Sequence, residues 1–220
     1  MGSLRTENIL QDIKSFSFLK KFTICSVFVS IIGFLIRFYT IGTTPKGTSG
    51  RNTKQQIADY LNSTGIYSMV RHPLYLGNYL IWIGIAIFTY NIYFIVIVSL
   101  LFWLYYERIM FAEERFLEKK FGEEYLSWSN GIPAFIPSFK NYTKTTIPLS
   151  IKTVLRREYA GILATVIGFS FIDVIRIYVE TNILNFTPVV LWVLIISLVL
   201  VFVLRSLKHY TNILTEKDRS

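Results

Sequence analysis

Apolar residues run along this chain in long stretches that lack the regular polar interruptions of a soluble helix or strand. Four regions stand out, at 22–41, 74–106, 159–179 and 188–204. A hydrocarbon core of about 30 Å needs roughly 20 helical residues to cross it, so these regions predict membrane-spanning helices. The pattern is typical of an all-α integral membrane protein.

The second apolar region is too long for a single crossing. It contains no acid or base and is interrupted near Thr89, Tyr90 and Asn91. We interpret it as two short helices joined in a tight hairpin, which brings the total to about five spans. In the next span Asp173 and Arg176 lie three residues apart and share a helix face. We interpret them as a structural ion pair, because each offsets the cost of burying the other.

The segments between the spans are expected to complete a single membrane domain over 1–220. Apolar residues among the charges of 108–124 predict an amphipathic helix that leaves the membrane and lies across its cytoplasmic face. The proline-punctuated loop 131–137 is expected to re-enter the apolar layer. The predicted divisions are an N-terminal segment, the first three spans, a cytoplasmic catalytic segment, the last two spans and a tail, at 1–21, 22–106, 107–157, 158–205 and 206–220.

Basic residues predict which ends of the spans face the cytoplasm. They collect in 46–71 and 108–157 and are absent around Asn91, which places the first two segments on the cytoplasmic side. Five spans would leave the N-terminus on the opposite side, yet its basic residues favour the inside: Arg5, Lys14, Lys20 and Lys21. An interfacial helix before Lys20, or a shallow first element, would remove this conflict.

Composition narrows the class of partner. Of 220 residues, 52% are hydrophobic and 17% are charged, and the net charge of +9 belongs to loops and tails. Such a basic rim fits anionic lipid headgroups and the bilayer rather than nucleic acid. A single cysteine, Cys25, allows no intrachain disulfide and no thiolate zinc site, and we expect no metal. Without a small-residue cleavage pattern after the first apolar stretch, we expect no cleavable signal peptide.

Two groups of polar and aromatic residues flank the predicted hairpin. The first precedes and enters its first arm, and comprises Tyr67, Arg71, His72, Pro73, Tyr75 and Gly77. Arg-His-Pro alone is also consistent with a pair of interfacial side chains before a helix-starting proline. The second group, Arg108, Glu113 and Glu114, follows the other arm and could equally be a solvated face. The hairpin brings both groups to one end, which predicts a pocket at the membrane interface.

The two groups together resemble a known family. The string Thr-Gly-Ile-Tyr at 64–67, with Val-Arg-His-Pro-Leu-Tyr-Leu-Gly at 70–77, is similar to the signature of the isoprenylcysteine carboxyl methyltransferase and phospholipid methyltransferase superfamily. The downstream motif of that family is matched in order and approximate spacing by Arg108, Ile109, Glu113, Glu114, Leu117, Phe121, Gly122, Tyr125, Trp128, Pro133 and Pro137. The resemblance covers about 59–137, and it implies an all-α membrane enzyme.

The resemblance also implies the cofactor and the roles of particular residues. S-adenosylmethionine would be contacted by Tyr67, His72, Pro73, Leu74, Tyr75 and Glu113, and bordered by Leu61 and Asn62. Arg108 would face the acceptor, and Glu114 or His72 could take a proton if that acceptor is neutral. These residue types suit the chemistry, because aromatic faces and a carboxylate attract a sulfonium cation. At the start of the next span, Arg156 and Arg157 are either positive-inside anchors or a headgroup clamp.

The predicted function is methyl transfer from S-adenosylmethionine to a membrane-embedded or lipid-linked acceptor, at a site on the cytoplasmic side. Two alternatives stay open. One is an NADPH-dependent reductase similar to membrane sterol reductases, which have a related Arg-His-Pro element near their C-terminus. The other is a membrane scaffold that keeps the pattern without turnover.

Overall fold

The structure is a computed structural model that describes residues 2–45 and 58–216, with side chains described from Leu19 onward. The described residues are all-helical and include no strand, as predicted. The basic residues expected between 46 and 57 lie outside this range. The described helices are α1 (Gly2–Gly42), α2 (Pro73–Ile87), α3 (Ile92–Phe121), α4 (Glu123–Gly131), α5 (Ile151–Thr181) and α6 (Pro188–Tyr210), with short 3-10 turns at Ile66–Ser68 and Phe139–Asn141.

Four of the described helices are long and apolar enough to cross a bilayer, and α2 is a shorter apolar helix. The spans are Leu19–Gly42, Ile92–Phe121, Ile151–Thr181 and Pro188–Tyr210. At 1.5 Å per residue, α2 extends only about 22 Å, less than the hydrocarbon thickness. The prediction of an all-α integral membrane protein is confirmed, with four long spans and one short helix as its five apolar elements.

The hairpin turn forms where the sequence is interrupted. Pro73 occupies the first turn of α2, where its missing N–H costs nothing. The Asn91 side chain caps α3 by accepting hydrogen bonds from the N–H groups of Tyr93 and Phe94, at 2.9 and 3.1 Å. One expectation was wrong, because only the first arm is short. Helix α3 continues from the membrane to Phe121 and ends at Gly122, whose φ of 53° favours glycine.

The continuity of the helices bears on two further expectations. The amphipathic helix predicted to continue out of the membrane over 108–124 forms as the C-terminal part of α3 as far as Phe121, and a second helix, α4, begins at Glu123. Helix α1 runs unbroken from Gly2 to Gly42, so no separate interfacial helix precedes Lys20. Hydrogen bonds within a helix join backbone groups four residues apart, so a helix can continue where the sequence pattern changes from membrane to interface.

The bundle has two distinct ends, which we call proximal and distal. At the proximal end, the N–H of Ser150 donates to the carbonyl of Gly42 at 2.8 Å, beside the start of α2. At the distal end, the hydroxyls of Thr23 and Tyr90 lie 2.5 Å apart. Lys20 therefore lies toward the distal end of α1, whereas Arg156, near the start of α5, lies at the proximal end.

Helices α1 and α2 pack most closely because small residues line their contact. A side-chain carbon added at Gly33 would lie 2.6 Å from the carbonyl oxygen of Gly77. One added at Gly84 would lie 2.6 Å from the carbonyl oxygen of Ser26. Small residues allow such approach between apolar helices, where van der Waals packing replaces the hydrophobic effect as the driving force. This contact fixes α2 and therefore the residues at its proximal start.

Candidate functional site

The segment leading into α2 is held by the loop that follows α4. The N–H groups of Arg71 and His72 donate to the carbonyls of Pro133 and Ala134, at 2.9 and 3.2 Å. The N–H of Ser138 donates to the carbonyl of Met69 at 2.9 Å. These bonds satisfy backbone groups before the first turn of α2 and fix the direction in which the His72 side chain leaves the chain.

The same loop places an aromatic ring between α2 and α3. The Phe135 ring packs edge-on against Tyr79 and Trp103, with centroids 5.8 and 5.6 Å apart. Its neighbour Ile136 is 79% exposed. The loop 131–137 therefore inserts one apolar side chain, Phe135, between α2 and α3.

His72 lies between two consecutive carboxylates of α3. Its Nε2 is 2.8 Å from Oε1 of Glu114, and its Nδ1 is 3.7 Å from Oε2 of Glu113. The imidazole is only 5% exposed. The structure thus joins the two sequence groups at the proximal end, although they are about 40 residues apart in the sequence.

Aromatic rings form the next layer around this contact. The Tyr75 ring stacks on His72 with centroids 5.5 Å apart, and its hydroxyl donates to Oε2 of Glu113 at 2.9 Å. The Tyr106 ring of α3 lies 5.2 Å from Tyr75. One aromatic face and two carboxylates therefore contact the imidazole, and Tyr106 packs behind Tyr75.

Arg71 extends the cluster toward a pocket between α3 and α4. Its guanidinium lies 3.3 Å from Oε1 of Glu114. The pocket has a volume of about 240 Å³ and is lined by Arg71, Phe111, Glu114, Arg115, Glu118, Tyr125, Leu126 and Ser129. Nε of Arg71 is buried without a hydrogen-bond partner among the described residues, whereas the Tyr125 hydroxyl lies within reach of Arg71 and Glu114. A buried polar atom without a partner is available to a ligand.

The charges of the cluster shift two pKa values outside the spans. Burial alone lowers the pKa of His72, but hydrogen bonds and charges from Glu113 and Glu114 outweigh it and raise the pKa above its usual value. The imidazole therefore retains its proton to higher pH than a free histidine. Burial, with the negative charge of Glu114, raises the pKa of Tyr125 to about 12, so its hydroxyl stays protonated.

The other predicted cofactor residues are buried or half-buried. Pro73 is fully buried, while Leu74 and Tyr67 are half-buried at the same end of α2. Tyr67 lies close enough to Tyr75 to interact with it electrostatically. Leu61 and Asn62 are half-buried, and the Asn62 amide nitrogen is buried without a hydrogen-bond partner among the described residues. Their roles stay predictions.

The predicted acceptor residues are placed less closely. Arg108 is exposed and has no hydrogen bond or ion pair with any described residue. It lies two positions from Tyr106, which is about 200° around α3, so the structure does not bring it into the His72 cluster. Arg156 and Arg157 are half-buried in the first two turns of α5. Whether they act as anchors or as a clamp stays a prediction.

The Asp173–Arg176 interpretation is confirmed by an ion pair of 3.0 Å. Sequence reasoning missed a second pair at the proximal end, between Arg37 of α1 and Glu158 of α5, with N···O distances of 2.6 and 2.8 Å. The available signal was Arg37 itself, a charge within the apolar run 22–41, since an ionisable group in a span is expected to have a function and a partner.

Fold and geometry together define an integral membrane protein with a histidine, tyrosine and glutamate cluster at one end of its helices. A family model described as Phospholipid methyltransferase matches residues 22–124, which include the whole His72–Glu113 contact. This match supports the resemblance to the isoprenylcysteine carboxyl methyltransferase and phospholipid methyltransferase superfamily.

Several curated proteins are similar to this chain. A protein-S-isoprenylcysteine O-methyltransferase of Saccharomyces cerevisiae is 29% identical over 133 residues, covering 59% of this chain and 56% of the relative. The Schizosaccharomyces pombe protein of the same name is 27% identical, over 55% of this chain and 54% of the relative. A nickel-cobalt-cadmium resistance protein of Alcaligenes xylosoxydans is 34% identical over 89 residues, covering 40% of this chain and 39% of the relative.

The chain spans about half the length of the first two of these relatives. No solved structure matches it. Two of these relatives are named as methyltransferases and the third as a metal-resistance protein.

Proposed function

We propose that this protein transfers a methyl group from S-adenosylmethionine to a membrane-embedded or lipid-linked acceptor. The proposal is supported by the match of residues 22–124 to the phospholipid methyltransferase family and by relatives named protein-S-isoprenylcysteine O-methyltransferase. The observation that carries it is the meeting of His72 with Glu113 and Glu114, at 3.7 and 2.8 Å. That contact gathers into one place the groups that a sulfonium cofactor requires.

The residues present fit this cofactor. Tyr75, Tyr106 and Glu113 offer two aromatic faces and a carboxylate, which attract a positively charged sulfur. Buried donors without partners, on Asn62 and Arg71, are suited to the polar ends of such a molecule. S-adenosylmethionine supplies an electrophilic methyl group when bound, and Tyr67, His72, Pro73 and Leu74 would help to hold it.

The protein's contribution to the reaction is placement and exclusion of water. Methyl transfer requires the acceptor atom to approach in line with the bond that breaks, so a fixed site gains mainly through orientation. His72 is 5% exposed and packs against Tyr75, which limits contact of water with the imidazole.

The geometry favours an acceptor that is already ionised. Glu114 is held as a carboxylate by Arg71 and His72, at 3.3 and 2.8 Å. Because the same carboxylates favour the protonated form of His72, neither group is well suited to remove a proton from a neutral acceptor. A carboxylate acceptor needs no base, which agrees with the O-methyltransferase names of the relatives.

An anionic acceptor would be recognised by basic side chains at the proximal end. Arg108 on α3, with Arg156 and Arg157 on α5, are the proposed contacts, because guanidinium groups bind carboxylates and phosphates bidentately. We propose that this end faces the cytoplasm, where soluble cofactor would enter, while the acceptor arrives from the bilayer. The basic residues that collect in 108–157 support that orientation.

Binding of labelled S-adenosylmethionine to the purified protein tests the proposal. We expect binding to be lost in His72→Ala and in Glu113→Ala, and retained in two matched controls, His209→Ala and Glu107→Ala. Glu107 is an exposed glutamate of the same helix, and His209 lies near the end of α6. Absence of binding to the unmodified protein, or equal binding in all variants, would contradict the proposal.

A second experiment identifies the acceptor and separates an enzyme from a scaffold. The protein is incubated with radiolabelled S-adenosylmethionine and total membrane lipid, and separately with a prenylated cysteine peptide. Label in a base-labile methyl ester of the peptide is expected for a carboxylate acceptor. Cofactor binding without any labelled product would instead favour the scaffold alternative.

A further inference from the structure

The buried pair of Arg37 and Glu158 lies outside the His72 cluster, but further hydrogen bonds of Arg37 connect the pair to that cluster. Arg37 of α1 is 8% exposed and Glu158 of α5 is 3% exposed. Nε and NH2 of the arginine donate to the two carboxylate oxygens, at 2.8 and 2.6 Å. Removing two charges from water costs several kcal/mol per ion before their attraction is counted. Apolar residues could join α1 and α5 at lower cost, so the pair calls for a further explanation.

The third nitrogen of Arg37 connects the pair to α2. NH1 donates to Oδ1 of Asn78 at 2.5 Å and to the carbonyl of Leu74 at 3.4 Å. Because a guanidinium has donors and no acceptor, it fixes the Asn78 amide with its oxygen toward Arg37. The amide nitrogen then has to point away from Arg37.

That nitrogen reaches the aromatic wall of the cluster. Nδ2 of Asn78 donates to the hydroxyl of Tyr106 at 3.2 Å. The Tyr106 ring lies stacked on Phe102 at 4.0 Å and contacts the Tyr75 ring at 5.2 Å. A change in the Asn78 amide would therefore be transmitted to the ring that hydrogen-bonds Glu113.

Gly77 provides the space that this arrangement needs. A side-chain carbon at Gly77 would lie 2.5 Å from Cγ of Arg37 and 2.9 Å from the carbonyl oxygen of Gly33. The glycine at the end of the motif therefore lets the stem of Arg37 cross α2 and reach both Glu158 and Asn78. Close packing of α1 against α2 would not by itself require an arginine at position 37.

We propose that Arg37, held by Glu158, is a positioning residue of the candidate site. It orients Asn78, Asn78 holds the Tyr106 hydroxyl, and Tyr106 sets the position of Tyr75 against His72 and Glu113. The inference rests on the proposed function only in treating the His72 cluster as the active site. Its alternative is a purely structural pair that joins α1 to α5.

The test uses the double variant Arg37→Leu/Glu158→Leu, which removes both charges and leaves neither buried alone. Its matched control is Asp173→Leu/Arg176→Leu, which removes the ion pair at the distal end. Replacing both partners by apolar residues is tolerated far better than removing one. Each protein is first checked for a monodisperse folded state in detergent.

The first measurement needs no cofactor. The chain has two histidines, so selective labelling of histidine with nitrogen-15 reports on His72 and His209 alone. Movement of the stacked Tyr75 ring changes the field at the imidazole, so we expect the His72 signal to shift in the proximal double variant and in Tyr106→Phe. We expect no shift of His72 in the distal control, and none of His209 in Tyr106→Phe.

The second measurement is the dissociation constant for labelled S-adenosylmethionine. We expect it to rise about tenfold in the proximal double variant and about threefold in Tyr106→Phe. Combining the two changes should give less than the product of the separate effects, because both act through one chain of contacts. Multiplicative effects would indicate independent structural roles and would overturn the inference.

The outcomes separate the two proposals. An unshifted His72 signal and unchanged cofactor binding in a folded proximal variant would overturn the positioning role while leaving the function in place. A shifted His72 signal in a protein that binds no S-adenosylmethionine would support the positioning role and contradict the function. Equal shifts of His72 in the proximal and distal double variants would reject a specific connection to Arg37.

Discussion

Each end of the helix bundle contains a buried ion pair, and the two pairs differ in where their remaining contacts lead. At the distal end, Asp173 binds Arg176 and accepts the N–H of Thr187 at 2.8 Å, just before α6. The Arg176 guanidinium lies over the rings of Phe88 and Tyr90, at 4.6 and 5.1 Å. These contacts end in backbone and packing, so the distal pair joins α5 to the turn between α2 and α3 and to the start of α6.

The proximal pair has side-chain contacts that continue through α2 into a cluster of titratable groups. Arg37 binds Glu158 and Asn78, and Asn78 in turn binds Tyr106 beside Tyr75. The proximal pair is bidentate and joins two helices, whereas the distal pair is a single contact within α5, and their remaining contacts have different consequences. An ion pair that shapes a site differs from a purely structural pair in the side chains that its further contacts reach.

The largest expected difference between the ends is in stability. Arg37→Leu leaves Glu158 buried with no other donor among the described residues, and we expect a loss of about 3–5 kcal/mol. Arg176→Leu leaves Asp173 its bond from Thr187, so we expect a smaller loss of about 1–3 kcal/mol. Thermal unfolding in detergent measures both. Equal losses of stability in the two variants would show that Asp173 depends on Arg176 as strongly as Glu158 depends on Arg37.

Glu114→Gln tests the cluster itself. The substitution removes the negative charge that pairs with His72 and Arg71, and a charge-assisted hydrogen bond contributes about 1.5–3 kcal/mol. We expect at least a tenfold weaker binding of labelled S-adenosylmethionine, corresponding to about 1.4 kcal/mol. Asp173→Asn is the distal control and should leave this binding unchanged. A similar loss in the control would point to general destabilisation.

Variants at two glycines of α2 distinguish an effect on helix packing from an effect on the geometry of the site. Gly77→Ala and Gly84→Ala each place a carbon closer to α1 than van der Waals contact allows, so each should cost about 1–3 kcal/mol in stability. Only Gly77→Ala displaces Arg37, and only this variant should shift the nitrogen-15 signal of His72. Unfolding curves with histidine spectra measure the two effects together. A His72 shift in Gly84→Ala would contradict the distinction.

A pH dependence is expected at the proximal end. Because its carboxylate partners raise the pKa of folded His72, the imidazole contributes stability that is fully present below its unfolded pKa of about 6.5. That contribution is lost as pH rises through the higher folded pKa. The melting temperature of the unmodified protein should exceed that of His72→Gln most near about pH 6, with the difference shrinking at higher pH. A difference that grows with pH would contradict the assignment.

Arg108→Ala should have the smallest effect on the folded protein. The side chain is exposed and unpaired among the described residues, so we expect a stability change within about 0.5 kcal/mol and unchanged cofactor binding. If Arg108 recognises an anionic acceptor, methyl transfer to membrane lipid or prenylated peptide should nevertheless decrease. Unchanged transfer would remove Arg108 from the proposed acceptor site.

Much of the fold follows from local pattern. The apolar lengths predicted the spans, and the interruption near Tyr90 predicted the turn between α2 and α3. The amphipathic pattern of 108–124 predicted that the helix continues out of the membrane, and α3 does so to Phe121, because a change from lipid-facing to charged residues leaves helical hydrogen bonding intact. The end of that helix depends on Gly122, whose backbone conformation the apolar pattern does not report.

Part of the site was also readable from the sequence. Tyr75, His72 and Glu113 belong to motifs that a hairpin brings to the same end, and the structure places them in contact. Arg37 was missed because its partner Glu158 lies 121 residues away and shares no motif with it. Such pairing depends on how α1, α2 and α5 pack together.

By itself, the sequence determined that this protein is an all-α membrane protein and that its chemical groups flank the second helix, because length and apolarity decide what can cross a bilayer. Only the tertiary structure decided that Lys20 lies toward the end opposite His72, and that one buried arginine leads to the candidate site while the other does not. Helix packing selects partners through close contacts between small residues and through the geometry of a few donors, and neither is encoded in local periodicity.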